Sequence, residues 1–108
     1  AGGDIHLKGD AAAAFRRLVR HDAVTVSENV VLYATENPPS ARVVCHEKRH
    51  QAQFAVIADA LVAIGAIDDD PPSRMAAALS VYAIEHIQTG YTGNRFESEA
   101  IEACKDVR

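Results

Sequence analysis

Two short segments with the same pattern restrict where the two longest helices of this chain can begin. They read NPPS at 37–40 and DPPS at 70–73. Each offers a polar side chain that can accept hydrogen bonds from the free N–H groups of a first helical turn, and each places proline in that turn, where proline is tolerated. We therefore predict one helix over about 39–64, with Gly65 near its end, and another over about 72–88.

The rest of the chain supplies a small β unit and two further helices. Asp10 can cap a helix over 11–21, whose alanines and arginines favour helix. Two runs rich in β-branched residues, AVTVS at 23–27 and VVLYA at 30–34, predict a hairpin or two adjoining strands. A last helix is predicted over 95–106. This order predicts a mainly helical α+β fold, and the second long helix, apolar on nearly all sides, is expected to be its central packing element.

Length and charge restrict the class of protein. The 108 residues fit one domain, 1–108, near the commonest domain size. The net charge is −4 and the basic residues do not gather into a stripe, so binding to nucleic acid is not expected. The longest apolar run, 54–67, is shorter than the ~20 residues that span a bilayer and contains Asp59, so no membrane span is expected.

The chain start and the cysteines bear on the compartment. No charged region followed by an apolar one opens the chain at Ala1, so no signal peptide is visible, and a soluble protein is expected, either retained or exported. Cys45 and Cys104 are too few for a disulfide framework. Two buried thiols are the favoured interpretation, because free cysteine is commonly buried, and a single bridge is the alternative for an exported protein.

The segment VVCHEKRHQAQF, 43–54, contains the pattern His-Glu-x-x-His. It falls in the early turns of the helix predicted over 39–64, where residues four apart lie about 40° from each other around the axis. His46 and His50 therefore point the same way, and both can bind one zinc ion through an imidazole nitrogen. Glu47 is a candidate general base that would take a proton from zinc-bound water.

A catalytic zinc site needs a third protein ligand. The candidates downstream are His86 and three glutamates of the last helix, Glu97, Glu99 and Glu102. Glu97 and Glu99 are two apart and point to different sides of that helix, so at most one of them can face the metal. His86 lies on an apolar stripe of its own helix, so it is interpreted as a histidine at the edge of the core.

Two motifs together resemble a known family. HEKRHQAQ at 46–53 resembles the His-Glu-x-x-His-x-x-Gln of small bacterial zinc metallopeptidases of the gluzincin type, and GYTGNRFESEA at 90–100 resembles their Tyr-x-x-Asn-x-Phe-Glu-x-Glu-Ala segment. In both respects the chain is similar to the DUF4157 domain found near extracellular contractile injection systems. The resemblance covers about 24–105 and implies a minimal zincin-like domain, with a small β-hairpin, an active-site helix and two following helices.

The resemblance also implies a set of metal ligands. In gluzincins the third ligand is a glutamate on a later helix, commonly followed by alanine, which selects Glu99 here and Glu97 second. Glu102, one turn past Glu99, would then orient a ligating histidine. The charged pair KR at 48–49 and the proline-free NRF at 94–96 depart from the family pattern.

These features predict a zinc-dependent metallopeptidase that hydrolyses peptide bonds. Tyr91 is a candidate donor to the oxyanion, with a packing role as the alternative, and Gln53 is either a partner of a loop or ligand or an ordinary surface amide. A peptide or protein substrate is expected to pair with the edge of the strand at 30–34. The alternative function is a non-catalytic docking or structural module, with a secretion or toxin assembly as its partner.

Overall fold

Four helices and three short strands form the part of the chain that the computed structural model describes, residues 3–19, 21–34 and 38–108. The helices are α1 (Gly9–Val19), α2 (Ala41–Ala63), α3 (Pro71–Gly93) and α4 (Arg95–Ala103), and the strands are β1 (Ile5–His6), β2 (Ala23–Ser27) and β3 (Val30–Tyr33). The prediction of a mainly helical α+β fold is confirmed. Among the described residues, no helix is both long and apolar enough to cross a membrane.

The three strands form one sheet in the order β1-β3-β2. β2 pairs with β3 in antiparallel register, with Val24 opposite Leu32, which confirms the predicted hairpin. β1 pairs with β3 in parallel, with Ile5 also opposite Leu32. The sequence did not predict β1, because two residues carry no periodic signal. β3 has a neighbour on each side, so the expectation that a substrate pairs with the edge of the strand at 30–34 is wrong.

Both long helices begin at or next to the predicted segments, but only α3 begins at its predicted cap, Asp70, with proline in its first turn. The Ser40 hydroxyl accepts a hydrogen bond from the Val43 N–H at 3.2 Å, and the Asp70 carboxylate accepts one from the Ser73 N–H at 2.8 Å. Asn37, the capping side chain predicted for α2, lies outside the described residues, and α2 begins after both prolines of its segment. Local chemistry therefore sets where each of these helices starts.

α1 starts earlier than predicted, and α3 is broken near its predicted end. α1 begins at Gly9, so Asp10 lies in its first turn and is not its cap. α3 extends to Gly93, but its regular helix is broken at Gly90, so the helical stretch predicted over about 72–88 is confirmed. Within it, Gly90 has a φ of 71°, a left-handed conformation that glycine adopts without the steric cost of a Cβ atom. The chain bends there, and α4 follows almost directly.

α2 lies at the centre of the fold, because α3, α4, β2 and β3 all pack against it. Small side chains are buried where the helices meet, including Ala58 on α2, Ala78 on α3 and Ala100 on α4, and Phe54 is the large buried side chain of α2. The prediction that α3 would be the central packing element is wrong, since Ile87 and other large apolar residues of α3 are exposed. α2 can therefore present several of its side chains to both neighbouring helices and the sheet.

Cys45 and Cys104 form a disulfide bond, with their Cα atoms 6.0 Å apart. The interpretation as two buried thiols is therefore wrong, and the single bridge named as its alternative is present. Cys45 lies near the start of α2, and Cys104 is the residue that caps the end of α4. The bond thus joins two helices whose sequence positions are 59 residues apart.

Replacing both Cys45 and Cys104 by alanine is expected to lower the free energy of unfolding by about 2–5 kcal/mol, because the bond restricts the unfolded chain over a long loop. Urea denaturation followed by far-ultraviolet circular dichroism measures the effect. The wild-type protein in excess dithiothreitol is the matched control and should lose a similar amount, whereas the variant should not respond to reductant. Equal midpoints for all three would contradict the prediction.

Candidate metal centre

α2 carries His46 and His50 one helical turn apart, and α4 carries Glu97 opposite them. Glu97 Oε1 lies 2.8 Å from His46 Nε2 and 3.1 Å from His50 Nε2, and the two Nε2 atoms are 3.1 Å apart. The three side chains can each direct one ligand atom to the same point. Two imidazole nitrogens and one carboxylate oxygen are the ligand set of a catalytic His-His-Glu zinc site, so the donors present fit that metal.

The start of α4 determines which glutamate reaches the histidines. Asn94 is fully buried, and its Oδ1 accepts hydrogen bonds from the N–H groups of Phe96 at 2.9 Å and Glu97 at 3.4 Å. This cap places Glu97 in the first turn of α4, against α2. Glu97 is only 5% exposed, as is His50. Two of the three cluster residues, His50 and Glu97, are thus buried, and the cap at Asn94 fixes the position of Glu97, while His46 is partly exposed.

The expectation that Glu99 supplies the third ligand is corrected by the structure, which brings Glu97 to the histidines instead. Residues two apart point to different sides of a helix. Glu99 accordingly lies 41% exposed at the flank of α2, where its Oε2 accepts a hydrogen bond from Arg49 Nε at 2.7 Å. Glu102, expected to orient a histidine, instead pairs with Lys105 at 2.8 Å.

Hydrogen bonds within the cluster shift the pKa values of Glu97 and His50. Burial alone would raise the pKa of Glu97, but hydrogen bonds from His46, His50 and Tyr82 outweigh it and hold the pKa well below its usual range. Burial alone would lower the pKa of His50, but its hydrogen bonds to Glu97 and Gln53 outweigh burial and raise that pKa. A carboxylate that stays ionised is what a cation needs as a ligand.

Gln53 orients the ring of His50. Its Nε2 donates to the carbonyl oxygen of Phe96 at 3.0 Å, so its Oε1 is left to accept a hydrogen bond from His50 Nδ1–H at 2.8 Å. With the proton on Nδ1, His50 Nε2 is directed toward Glu97 and can serve as a metal ligand. Gln53 is therefore a hydrogen-bonding partner of other groups and not an ordinary surface amide. Its partners are His50 and the backbone at the start of α4.

Glu47 is a residue of α2 whose side chain contacts β2, and it is 7% exposed. Thr25 Oγ1 on β2 lies 3.2 Å from Glu47 Oε2 and 3.0 Å from the Glu47 carbonyl oxygen, which ties the carboxylate to the sheet. Burial raises the pKa of Glu47, and the nearby His50 and His46 offset only part of that rise. A carboxylate with a raised pKa is a stronger base than an exposed one, which suits proton transfer near neutral pH.

A cleft of about 510 Å³ gives access to these groups. Residues 22–25, which include most of β2, form one side, and α3 forms the other with Leu79 and Tyr82. The three cluster residues and Glu47 all line it. Tyr91, 47% exposed, lines the same cleft.

Two residues of this region were not assigned a functional role from the sequence. The Tyr82 hydroxyl donates a hydrogen bond to Glu97 Oε2, and burial together with that bond raises the pKa of Tyr82, which keeps the hydroxyl protonated. Thr25 holds Glu47. His86, interpreted as a histidine at the core edge, is exposed and stacks on Tyr82 with ring centroids 6.1 Å apart. The only sequence signal for Tyr82 was a polar aromatic residue in an aliphatic stripe.

Comparison of the chain with protein-family models found no match, and neither the curated proteins nor the solved structures contain one. The chemistry of this centre is therefore inferred from its own geometry. That geometry comprises a convergent His-His-Glu cluster, a buried carboxylate beside it and a cleft that reaches both.

Proposed function

We propose that this chain is a zinc-dependent metallopeptidase of the gluzincin type, in which His46, His50 and Glu97 hold the metal. The observation that carries the proposal is the convergence of two imidazole nitrogens and one carboxylate oxygen at the wall of an open cleft. A structural zinc site is closed by four protein ligands, whereas a catalytic one has three and keeps a position for water or substrate. Three donors beside a cleft support the catalytic kind.

Zinc bound here would supply the Lewis acid that activates water and polarises the peptide carbonyl. Glu47 would accept a proton from the attacking water as the water oxygen bonds to the carbonyl carbon. It would then pass that proton to the amide nitrogen as the C–N bond breaks. The burial of Glu47 beside the cluster supports this role, and the position of Tyr91 in the cleft supports its role as a donor to the oxyanion.

The substrate would be an extended peptide paired with β2. The Ala34 N–H donates to the Asp22 carbonyl oxygen at 2.7 Å, which marks these two residues as a hydrogen-bonded pair. In antiparallel strands, hydrogen-bonded pairs alternate with pairs whose N–H and C=O groups point away from the partner strand. The backbone groups of Ala23 and Thr25 therefore point away from β3, toward the free edge of β2. Both residues line the cleft. This edge replaces the strand at 30–34 as the proposed place for strand addition.

Elemental analysis tests the metal centre. The wild-type protein, supplied with zinc and then dialysed, is expected to retain about one zinc per chain, as three good ligands would require. The double variant His46→Ala, His50→Ala is expected to retain none, because a single carboxylate binds zinc weakly in competition with water.

The matched control is His86→Ala, which removes a histidine from the same cleft but from outside the cluster. It should keep the zinc content of the wild-type protein. Absence of zinc in the wild-type protein, or equal zinc in the double variant, would contradict the proposal and favour the non-catalytic docking module.

A further inference from the structure

The two carboxylate oxygens of Glu97 have different partners. Oε1 faces the Nε2 atoms of His46 and His50, whereas Oε2 accepts a hydrogen bond from the Tyr82 hydroxyl. The carboxylate is therefore held from both ends, by α2 on one side and by α3 on the other. Its orientation does not depend on α4 alone.

We propose that Tyr82 is a positioning residue that makes Glu97 bind the metal through one oxygen. The inference rests on the metal centre proposed above. A carboxylate can bind a metal through one oxygen or through both, and the second oxygen fills a coordination position. A hydrogen bond that occupies Oε2 keeps it away from the metal. The position left free is the one that a catalytic site needs for water or substrate.

The ring of Tyr82 is fixed well enough to act in this way. It packs edge-on against His50 and Phe54, with ring centroids 6.0 and 6.2 Å away, and at a tilt against Phe96 at 5.5 Å. On the cleft side it stacks with His86. A ring held by four neighbours directs its hydroxyl to one place, and a buried carboxylate oxygen that lost this donor would be left without a partner.

The variant Tyr82→Phe tests the inference, because it removes the hydroxyl and keeps the ring. Cobalt(II) is the probe, since its visible absorption bands report the number and geometry of its ligands. In Tyr82→Phe we expect those bands to change and the affinity for cobalt, measured by competition with a chelator, to fall roughly 10-fold or more, as is typical when a hydrogen bond to a ligand is lost.

The matched control is Tyr33→Phe. It removes a second buried tyrosine hydroxyl, one that has no hydrogen-bond partner among the described residues. This variant should leave both the cobalt spectrum and the cobalt affinity as in the wild-type protein. A changed spectrum in Tyr82→Phe alone would support positioning through Glu97.

Two results would overturn the inference in different ways. If the wild-type protein binds cobalt and Tyr82→Phe has the same spectrum and affinity, Tyr82 does not position Glu97, and the metal centre itself stands. If metal-free Tyr82→Phe unfolds at a lower temperature but its cobalt spectrum and affinity are unchanged, Tyr82 has only a structural role, which also overturns the inference. If the wild-type protein binds neither cobalt nor zinc, the proposed function fails and this inference with it.

Discussion

Replacing Glu47 by glutamine is expected to abolish peptide hydrolysis while the protein keeps its zinc. Glutamine has nearly the same shape but cannot accept the proton of the attacking water, and a general base contributes about 10²–10⁴-fold to a rate. Cleavage of a fluorogenic peptide library measures kcat/KM, and elemental analysis measures the metal. The two readouts separate a lost base from a lost site, because Glu47 is not among the three residues of the cluster.

The same substitution is expected to stabilise the folded protein, although it abolishes hydrolysis. Burial raises the pKa of Glu47, so the folded protein holds this proton more tightly than the unfolded chain does. Stability is then lost as pH rises from the ordinary glutamate value through the raised one, and an ionised Glu47 is a cost at pH 7. Metal-free Glu47→Gln should therefore unfold at a higher temperature than the wild-type protein at that pH.

The wild-type protein at about pH 4, where an ordinary glutamate is largely protonated, provides the control for this stability effect, since the difference between the two proteins should shrink there. A Glu47→Gln variant that cleaves at the normal rate would remove Glu47 from the mechanism. A variant that loses zinc as well would show that Glu47 supports the metal and not only the chemistry.

Glu97→Gln is expected to weaken zinc binding by more than the 10–100-fold typical of a lost hydrogen bond around a metal site, because it removes the only negative charge among the three donors. Glu99→Gln makes the same chemical change two residues away and is expected to leave zinc affinity unchanged, since Glu99 pairs with Arg49 at the flank of α2. Competition with a chelator measures both affinities.

Far-ultraviolet circular dichroism must show both variants folded for this comparison to hold. Loss of zinc affinity in Glu99→Gln with normal affinity in Glu97→Gln would restore the ligand set expected from the family resemblance. Equal losses would mean that the net charge around the site matters more than the position of either carboxylate.

The parts of the fold that were predicted correctly depend on neighbours in sequence. Asp70 caps α3 as predicted, through the N–H group three residues ahead, a contact that needs no knowledge of the rest of the chain. Ser40 caps α2 through the same kind of contact, at the end of the segment that was predicted to start that helix. The spacing of His46 and His50 likewise sets their common direction once α2 forms. For the same reason the hairpin of β2 and β3 could be predicted from two adjacent β-branched runs.

The errors concern contacts between distant parts of the chain. The choice between Glu97 and Glu99 depends on how α4 is rotated against α2, which follows from the buried cap at Asn94 and from packing. The disulfide depends on the approach of Cys45 to a residue 59 positions away. Tyr82 reaches Glu97 from a third helix. None of these distances is encoded in a local pattern.

The disulfide between α2 and α4 has a consequence for resistance to proteolysis. The connection between α2 and α3, with Gly65 and Asp69 exposed, is an accessible target for proteases. A cut there falls between Cys45 and Cys104, so the two fragments stay covalently joined. Because one fragment carries both histidines and the other carries Glu97, all three cluster residues remain in one covalently joined molecule.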